Sequence, residues 1–325
     1  MAILRFIANQ LAVLTLLGAL LGYFYPSAFL VFTTPLLGMK VVLWMFAITM
    51  FALGLVLDTD DLKTTVQQPG KIALGLLTQY TVMPALAVLA VTLGDLPPAI
   101  ALGLIIVGCA PGAMASNVIV YLAGGALAFS ITLTFVATLL APLLTPTLVQ
   151  WLGHAYFEIP FFGLMLTIAK ILVIPLLFGM LVRRTLIKQQ HMPWIQAIAP
   201  ATGAIAIVII CSQAVAANQE RIAQMGAQIF AWVVAINLAG YIAGWFLGKL
   251  YRFEPAQRIT LSIEIGMQNA GLGVALALAH FSAETALPGA LFAFWSVITA
   301  AIATRVLRRA RMPGSEDQGL TAVAD

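Results

Sequence analysis

Residues 262–274 read Ser-Ile-Glu-Ile-Gly-Met-Gln-Asn-Ala-Gly-Leu-Gly-Val, which places a carboxylate (Glu264), two amides (Gln268 and Asn269) and three glycines in an otherwise apolar segment. Residues 108–118 interrupt a second apolar run with Pro111 and Gly112, and Ser116 and Asn117 follow. An ionised carboxylate at the centre of a membrane helix costs about 2.5–3.5 kcal/mol on insertion scales, so a compensating partner is required. No Lys or Arg lies within residues 259–280. The available partners are neutral oxygen donors: Gln79, Ser116, Asn117, Ser130, Thr134 and Gln268. One negative charge among neutral oxygens suits a hard monovalent cation better than it suits zinc or copper. Glu264 and Gln268 are four residues apart, as are Ser130 and Thr134, so each pair is expected to share a helix face. Taken singly, each hydroxyl could instead bond back to its own helix or tie two helices together.

The elements that position these residues follow from composition. The 325-residue chain is 62% hydrophobic and 9% charged, and its mean hydropathy of +1.03 lies far outside the range of soluble domains. Residues 96–157 contain no Asp, Glu, Lys or Arg, which is room for two spans of about 20 residues each. The runs are continuous rather than alternating, which excludes a β-barrel. Ten helical spans are expected, near 8–25, 38–57, 72–92, 98–122, 126–150, 160–182, 197–217, 228–249, 258–280 and 286–304. Arg5 ahead of the first run resembles a signal peptide, but no small-residue cleavage site follows, so the run is kept as the first helix. The tail from residue 312 is polar and expected to be disordered.

With a cytoplasmic N-terminus, thirteen of the sixteen basic residues fall on the cytoplasmic side. The positive-inside rule then sets both termini in the cytoplasm, and the net charge of +4 reflects topology rather than nucleic-acid binding. Ten spans divide into five plus five, residues 1–155 and 156–311. Because five is odd, the second half enters the membrane from the opposite side, as in an inverted repeat. The fourth span of each half carries the interruption, and paired interruptions of this kind point to a transporter's binding site.

The segments Gly54–Lys63 (GLVLDTDDLK), Pro111–Gly125 (PGAMASNVIVYLAGG), Leu144–Leu148 (LTPTL), Ile263–Ala277 (IEIGMQNAGLGVALA) and Ala286–Phe292 (ALPGALF) occur in this order. By them the chain resembles the bile acid:sodium symporter family over nearly its full length, in particular its bacterial homologues. The resemblance implies a core domain of spans 3–5 and 8–10, in which two broken helices cross, beside a panel of spans 1, 2, 6 and 7. It also implies two sodium ions. The first would take Ser116, Asn117, Ser130, Thr134 and Glu264, and the second Gln79, Glu264, Ile265, Met267 and Gln268. The implied location is the bacterial inner membrane, and the implied substrate is a small organic anion: bile-acid-like, pantoate- or pantothenate-like, or a 2-oxo acid. Two departures weaken hydrogen bonding in the substrate cavity. Ala113 and Met114 stand where many relatives have Gly-Thr, and Ser296 and Val297 follow Trp295 where many have His-Asn.

Candidate substrate contacts are therefore Met114, Asn117, Asn269, Trp295 and Ser296, together with Lys170 in the sixth span, which could attract a carboxylate or extend its ammonium to the interface. Lys40 is expected to anchor the outer end of span two. Cys109 and Cys211 read as small core residues, the dispersed histidines argue against a metal centre, and most tryptophans read as interfacial. A hydrolase would need a nucleophile–base pair or a metal motif, and neither occurs. The rival within transport is a proton-coupled carrier or cation/proton antiporter with Glu264 as proton carrier. The lipid bilayer is the remaining partner, and no obligate protein partner is implied.

Overall fold

The computed structural model describes residues 11–57 and 68–311. Arg5, residues 58–63 of the first family segment and the tail from residue 312 lie outside the described residues. Twelve helices carry the fold: α1 Leu11–Phe24, α2 Val41–Val56, α3 Pro69–Gly94, α4 Pro98–Gly108, α5 Ser116–Leu122, α6 Leu127–Gly153, α7 Phe161–Leu186, α8 Met192–Ala216, α9 Gln219–Leu250, α10 Pro255–Gly266, α11 Ala270–His280 and α12 Ala283–Arg311.

Local chemistry accounts for many of the boundaries. Pro69, Pro98 and Pro255 occupy first helical positions, where a missing N–H is harmless. Glu254 and Gln257 form a reciprocal capping box at the start of α10. Between α1 and α2 the chain bends by 106° into a short helix, then makes a two-residue hairpin turn at Leu37 and Gly38, both with positive φ. Helix α7 contains one π turn, Ala169–Val173.

Among the described residues, six helices are long and apolar enough to cross a membrane, or seven if the bent pair after α1 counts as one span. The expected ten are not reached by length because α2 has 16 residues and the fourth and ninth runs are each split into two shorter helices.

With no hydrophobic force between helices in lipid, close backbone approach must hold them together. Gly54 of α2 and Gly179 of α7 face each other so closely that a Cβ on either would lie 2.2 Å from the other helix's backbone oxygen. Helix α9 packs on α10 through Gly240, Gly244 and Gly248; a Cβ at Gly244 would sit 2.7 Å from the Leu261 carbonyl. Other packed pairs include α1 with α8, α2 with α8, α3 with α4, α4 with α12, α6 with α7, α8 with α12 and α11 with α12. Helix α4 also packs on α11, and α5 on α10, so the two broken helices meet at their breaks.

Candidate functional site

At the breaks the backbone leaves helical geometry deep inside the fold, and every freed polar group there needs a partner. The two breaks supply part of this to each other. Gly112 and Gln268 form an antiparallel bridge, Ala113 N donates to Met267 O at 3.0 Å, and Asn269 N donates to Pro111 O at 2.9 Å. Flanking side chains supply the rest. Thr145 Oγ1 donates to Cys109 O (2.8 Å), Gln79 Nε2 to Ala110 O (3.2 Å), Asn237 Nδ2 to Gly266 O (2.8 Å) and Gln268 Nε2 to Ile265 O (2.9 Å). Six successive polar contacts thus replace lost helix bonds, which explains how irregular backbone is stable at this depth.

Glu264 sits in the last turn of α10 and is 1% exposed. Ser116 Oγ donates to Glu264 Oε1 at 2.6 Å, Ser130 Oγ also donates to Oε1, and Thr134 Oγ1 donates to Oε2 at 2.8 Å. Ser130 Oγ lies 2.7 Å from Asn117 Oδ1 as well, and Thr134 Oγ1 lies 2.9 Å from Ser130 O. Asn117 Nδ2 donates to Met114 O (3.1 Å), which sets the amide's orientation with Oδ1 toward Ser130. Three hydroxyl protons therefore serve five oxygen–oxygen contacts. A hydroxyl has one proton to donate, so Ser130 and Thr134 must each divide theirs between two acceptors. Gly112 admits the carboxylate: a Cβ there would be 2.9 Å from Glu264 Oε2. A donor set of one carboxylate and several neutral oxygens fits a small hard cation.

Ser130 and Thr134 share a face of the continuous α6, as their spacing predicts. The same argument fails for Glu264 and Gln268. Helix α10 ends at Gly266, so Gln268 lies in the extended link beyond it and reaches the site by a different route. There Gln79 Nε2 donates to Gln268 Oε1 at 2.8 Å, and Gln268 in turn holds Ile265 O. Gln79, Ile265, Met267 and Gln268 thus lie at the second break, beside the carboxylate cluster. The Met267 carbonyl accepts from Ala113 N and keeps its second lone pair.

The other candidates are scattered. Asn269 caps α11 by accepting from Leu272 N at 3.1 Å. Met114 lies in the turn before α5. Trp295 packs edge-on against Phe230, and its Nε1 is buried without a partner. Ser296 donates to Ala293 O of its own helix (3.0 Å), the back-bonding that hydroxyls in apolar helices commonly adopt. Lys170 does not join them. It is exposed on α7 between Leu166 and Ile174, themselves 52% and 59% exposed, so it stands on the outward apolar stripe where a Lys stem extends toward the interface. Lys40 does more than anchor an interface: its Nζ donates to Leu278 O near the end of α11. Two residues at the breaks escaped the sequence reading, Thr145 and Asn237. Thr145 is one of several hydroxyls along α6, with nothing in its spacing to single it out, and Asn237 stands by itself in the middle of α9.

Two broken helices that cross around a buried carboxylate are the construction of secondary transporters, and this fold and site define a membrane transporter rather than an enzyme. Residues 42–227 match the family described as the Sodium Bile acid symporter family, and the chain belongs to it. It is 37% identical over 295 residues, covering 90% of this chain and 88% of the relative, to a protein of Bacillus subtilis (strain 168) described as an uncharacterized sodium-dependent transporter, YocS. It is 32% identical over 305 residues, covering 93% of this chain and 74% of the relative, to the probable sodium/metabolite cotransporter BASS1 of Arabidopsis thaliana chloroplasts.

Proposed function

We propose that the protein is a sodium-coupled symporter that imports a small organic anion by alternating access. The observation that carries this reading is the Glu264 cluster, whose buried oxygens outnumber the protons available to separate them. A cation among Ser116, Asn117, Ser130, Thr134 and Glu264 relieves that shortage. A second ion would take Gln79, Glu264, Ile265, Met267 and Gln268. Sodium then neutralises Glu264 and ties the crossed breaks together, so that the cavity prefers substrate when the ions are bound. Two sodium ions with a monovalent anion would carry one net charge inward, worth about 2.3 kcal/mol per 100 mV.

Ten spans in two inverted repeats, 1–155 and 156–311, provide the moving parts. The packing supports this: α1 on α8 is matched by α7 on α2, α3 on α4 by α9 on α10, α5 on α6 by α11 on α12, and α4 on α12 by α10 on α6. The core is α3–α6 with α9–α12, and the panel is α1, α2, α7 and α8. Both termini lie in the cytoplasm, on the bacterial inner membrane. The name of the chloroplast relative favours a small metabolite as the anion, with Met114, Asn117, Asn269, Trp295 and Ser296 nearest the cavity.

The test is a melting-temperature titration of purified protein with sodium against potassium, alongside Glu264→Ala. Sodium at about 100 times its dissociation constant should stabilise by about 2.7 kcal/mol. Absence of any sodium-specific gain would overturn the proposal. The second reading is proton coupling, because a proton on Glu264 also adds positive charge to the crowded cluster. Uptake into proteoliposomes that follows a pH gradient without sodium would select it.

A further inference from the structure

We propose that Asn237 of α9 is a positioning residue for the second sodium ion, acting by fixing the peptide that leaves α10 at the break. The inference rests on the sodium reading above. Asn237 is fully buried, midway along a helix that packs on α10 through Gly240, Gly244 and Gly248 and through the Tyr241 ring against Gly266. Its Nδ2 donates to Gly266 O, the last helical carbonyl before the extended link. Gln79 of α3 holds the link through the Gln268 side chain, and Asn237 holds it through a main-chain carbonyl. The Gly266 peptide lies between Ile265 and Met267, whose carbonyls are the backbone oxygens of the proposed site, and its orientation governs where both point.

Two further observations separate this role from simple helix gluing. Gly240, three residues on, brings α9 so near that a Cβ there would lie 3.1 Å from Ile265 O and 2.8 Å from Met83 Sδ. Close packing is thus already secured by glycine, without need of an amide. Asn237 Oδ1 is buried with no donor among the described residues, and an apolar contact would not retain such an atom.

The decisive experiment compares wild type, Asn237→Leu, Asn237→Asp and Glu264→Ala by melting temperature in sodium and in potassium titrations. In Asn237→Leu the melting temperature should fall in both salts, because Gly266 O loses its donor, and the half-saturating sodium concentration should also rise about tenfold and the dependence lose its steepness, because one site remains. In Asn237→Asp a carboxylate replaces the donor against Gly266 O. Its melting temperature should fall in potassium and recover in sodium, giving a larger sodium-specific gain than wild type. Equal losses in both salts, with half-saturation unchanged, would overturn the inference and leave Asn237 as packing. If Asn237→Leu does not fold, Asn237→Asp decides alone: no extra sodium-specific gain overturns it. A wild-type protein indifferent to sodium overturns the sodium reading itself, which is distinguishable because Glu264→Ala would then match wild type.

Discussion

At the first break, between α4 and α5, Pro111 removes an N–H and disfavours helix at Ala110, which favours a departure from helical geometry there. At the second, between α10 and α11, no proline intervenes, and the helix ends at Gly266, against whose Cα the Tyr241 ring is stacked. The halves that follow differ more. Helix α5 has seven residues, of which only Ser116 and Val120 are buried, and Tyr121 is 68% exposed. Helix α11 has eleven residues, eight of them buried, and a side-chain cap from Asn269 that α5 lacks. The carboxylate belongs to the tightly held partner, whereas the loosely held one contributes Ser116 and Asn117. This division assigns α10–α11 as the frame that keeps the charge in place and α5 as the element whose approach completes the site.

The largest expected effect removes the charge from the frame. Glu264→Gln keeps the shape and loses the carboxylate, and sodium affinity should fall at least ~100-fold, since bonds to charged groups are worth about 1.5–3 kcal/mol each. Sodium-dependent melting of the purified variant reads this directly. Retained sodium affinity would mean that neutral oxygens suffice and that the contrast between the breaks has no electrostatic basis.

Next come two glycine substitutions that should separate frame from moving element. In Gly266→Ala the new methyl would lie 2.5 Å from the Tyr241 ring, and overpacking should destabilise by about 1–3 kcal/mol in sodium and potassium alike. In Gly112→Ala the methyl meets the far end of the Glu264 side chain at 2.9 Å. A carboxylate can rotate away, so the melting temperature in potassium should hold while sodium affinity drops about tenfold, for a perturbation near 1.4 kcal/mol. Identical behaviour of the two variants would erase the distinction.

The same contrast explains what could be read before any coordinates. Residue type alone assembled Ser116, Ser130, Thr134 and Glu264, because a buried carboxylate needs partners and few polar residues were on offer. Spacing worked for Ser130 and Thr134, since α6 runs unbroken through both. It failed for Glu264 and Gln268, since the four-residue rule presumes a continuous helix and the chain is not helical at 267–269. Proline was equally ambiguous. Pro84, Pro142, Pro146, Pro200 and Pro288 all lie inside helices, while Pro111 ends one. What differs is tertiary: at Pro111 a second broken chain and Gln79 stand ready to take the freed groups. Lys170 stayed open between cavity and interface, because its burial depends on which side of α7 meets neighbours, and the π turn at Ala169–Val173 shifts that register.

A smaller effect is expected at the far end of the frame. Lys40 Nζ bonds the Leu278 carbonyl, one of the last in α11 and without a partner inside the helix. This charged bond also links the start of α2 to α11 across the proposed panel–core boundary. Lys40→Met should lower the melting temperature by a few degrees, corresponding to about 1–2 kcal/mol after partial solvent screening. The loss should be the same in sodium and potassium if the contact holds only the panel. A sodium-dependent difference would show that the two ends of α11 communicate.

The mildest test targets the cap. Asn269 Oδ1 accepts from Leu272 N and satisfies one of the free N–H groups at the start of α11. Asn269→Ala should cost about 1 kcal/mol, the usual value for losing such a cap, and should lower the melting temperature slightly in either salt. The backbone tie from Asn269 N to Pro111 O survives the substitution, so the breaks stay in register. If α11 is a frame held by burial along its whole length, losing one cap leaves sodium affinity unchanged. If sodium affinity falls with it, the frame depends on its end contacts rather than on its buried face, and the difference between the two broken helices is one of degree.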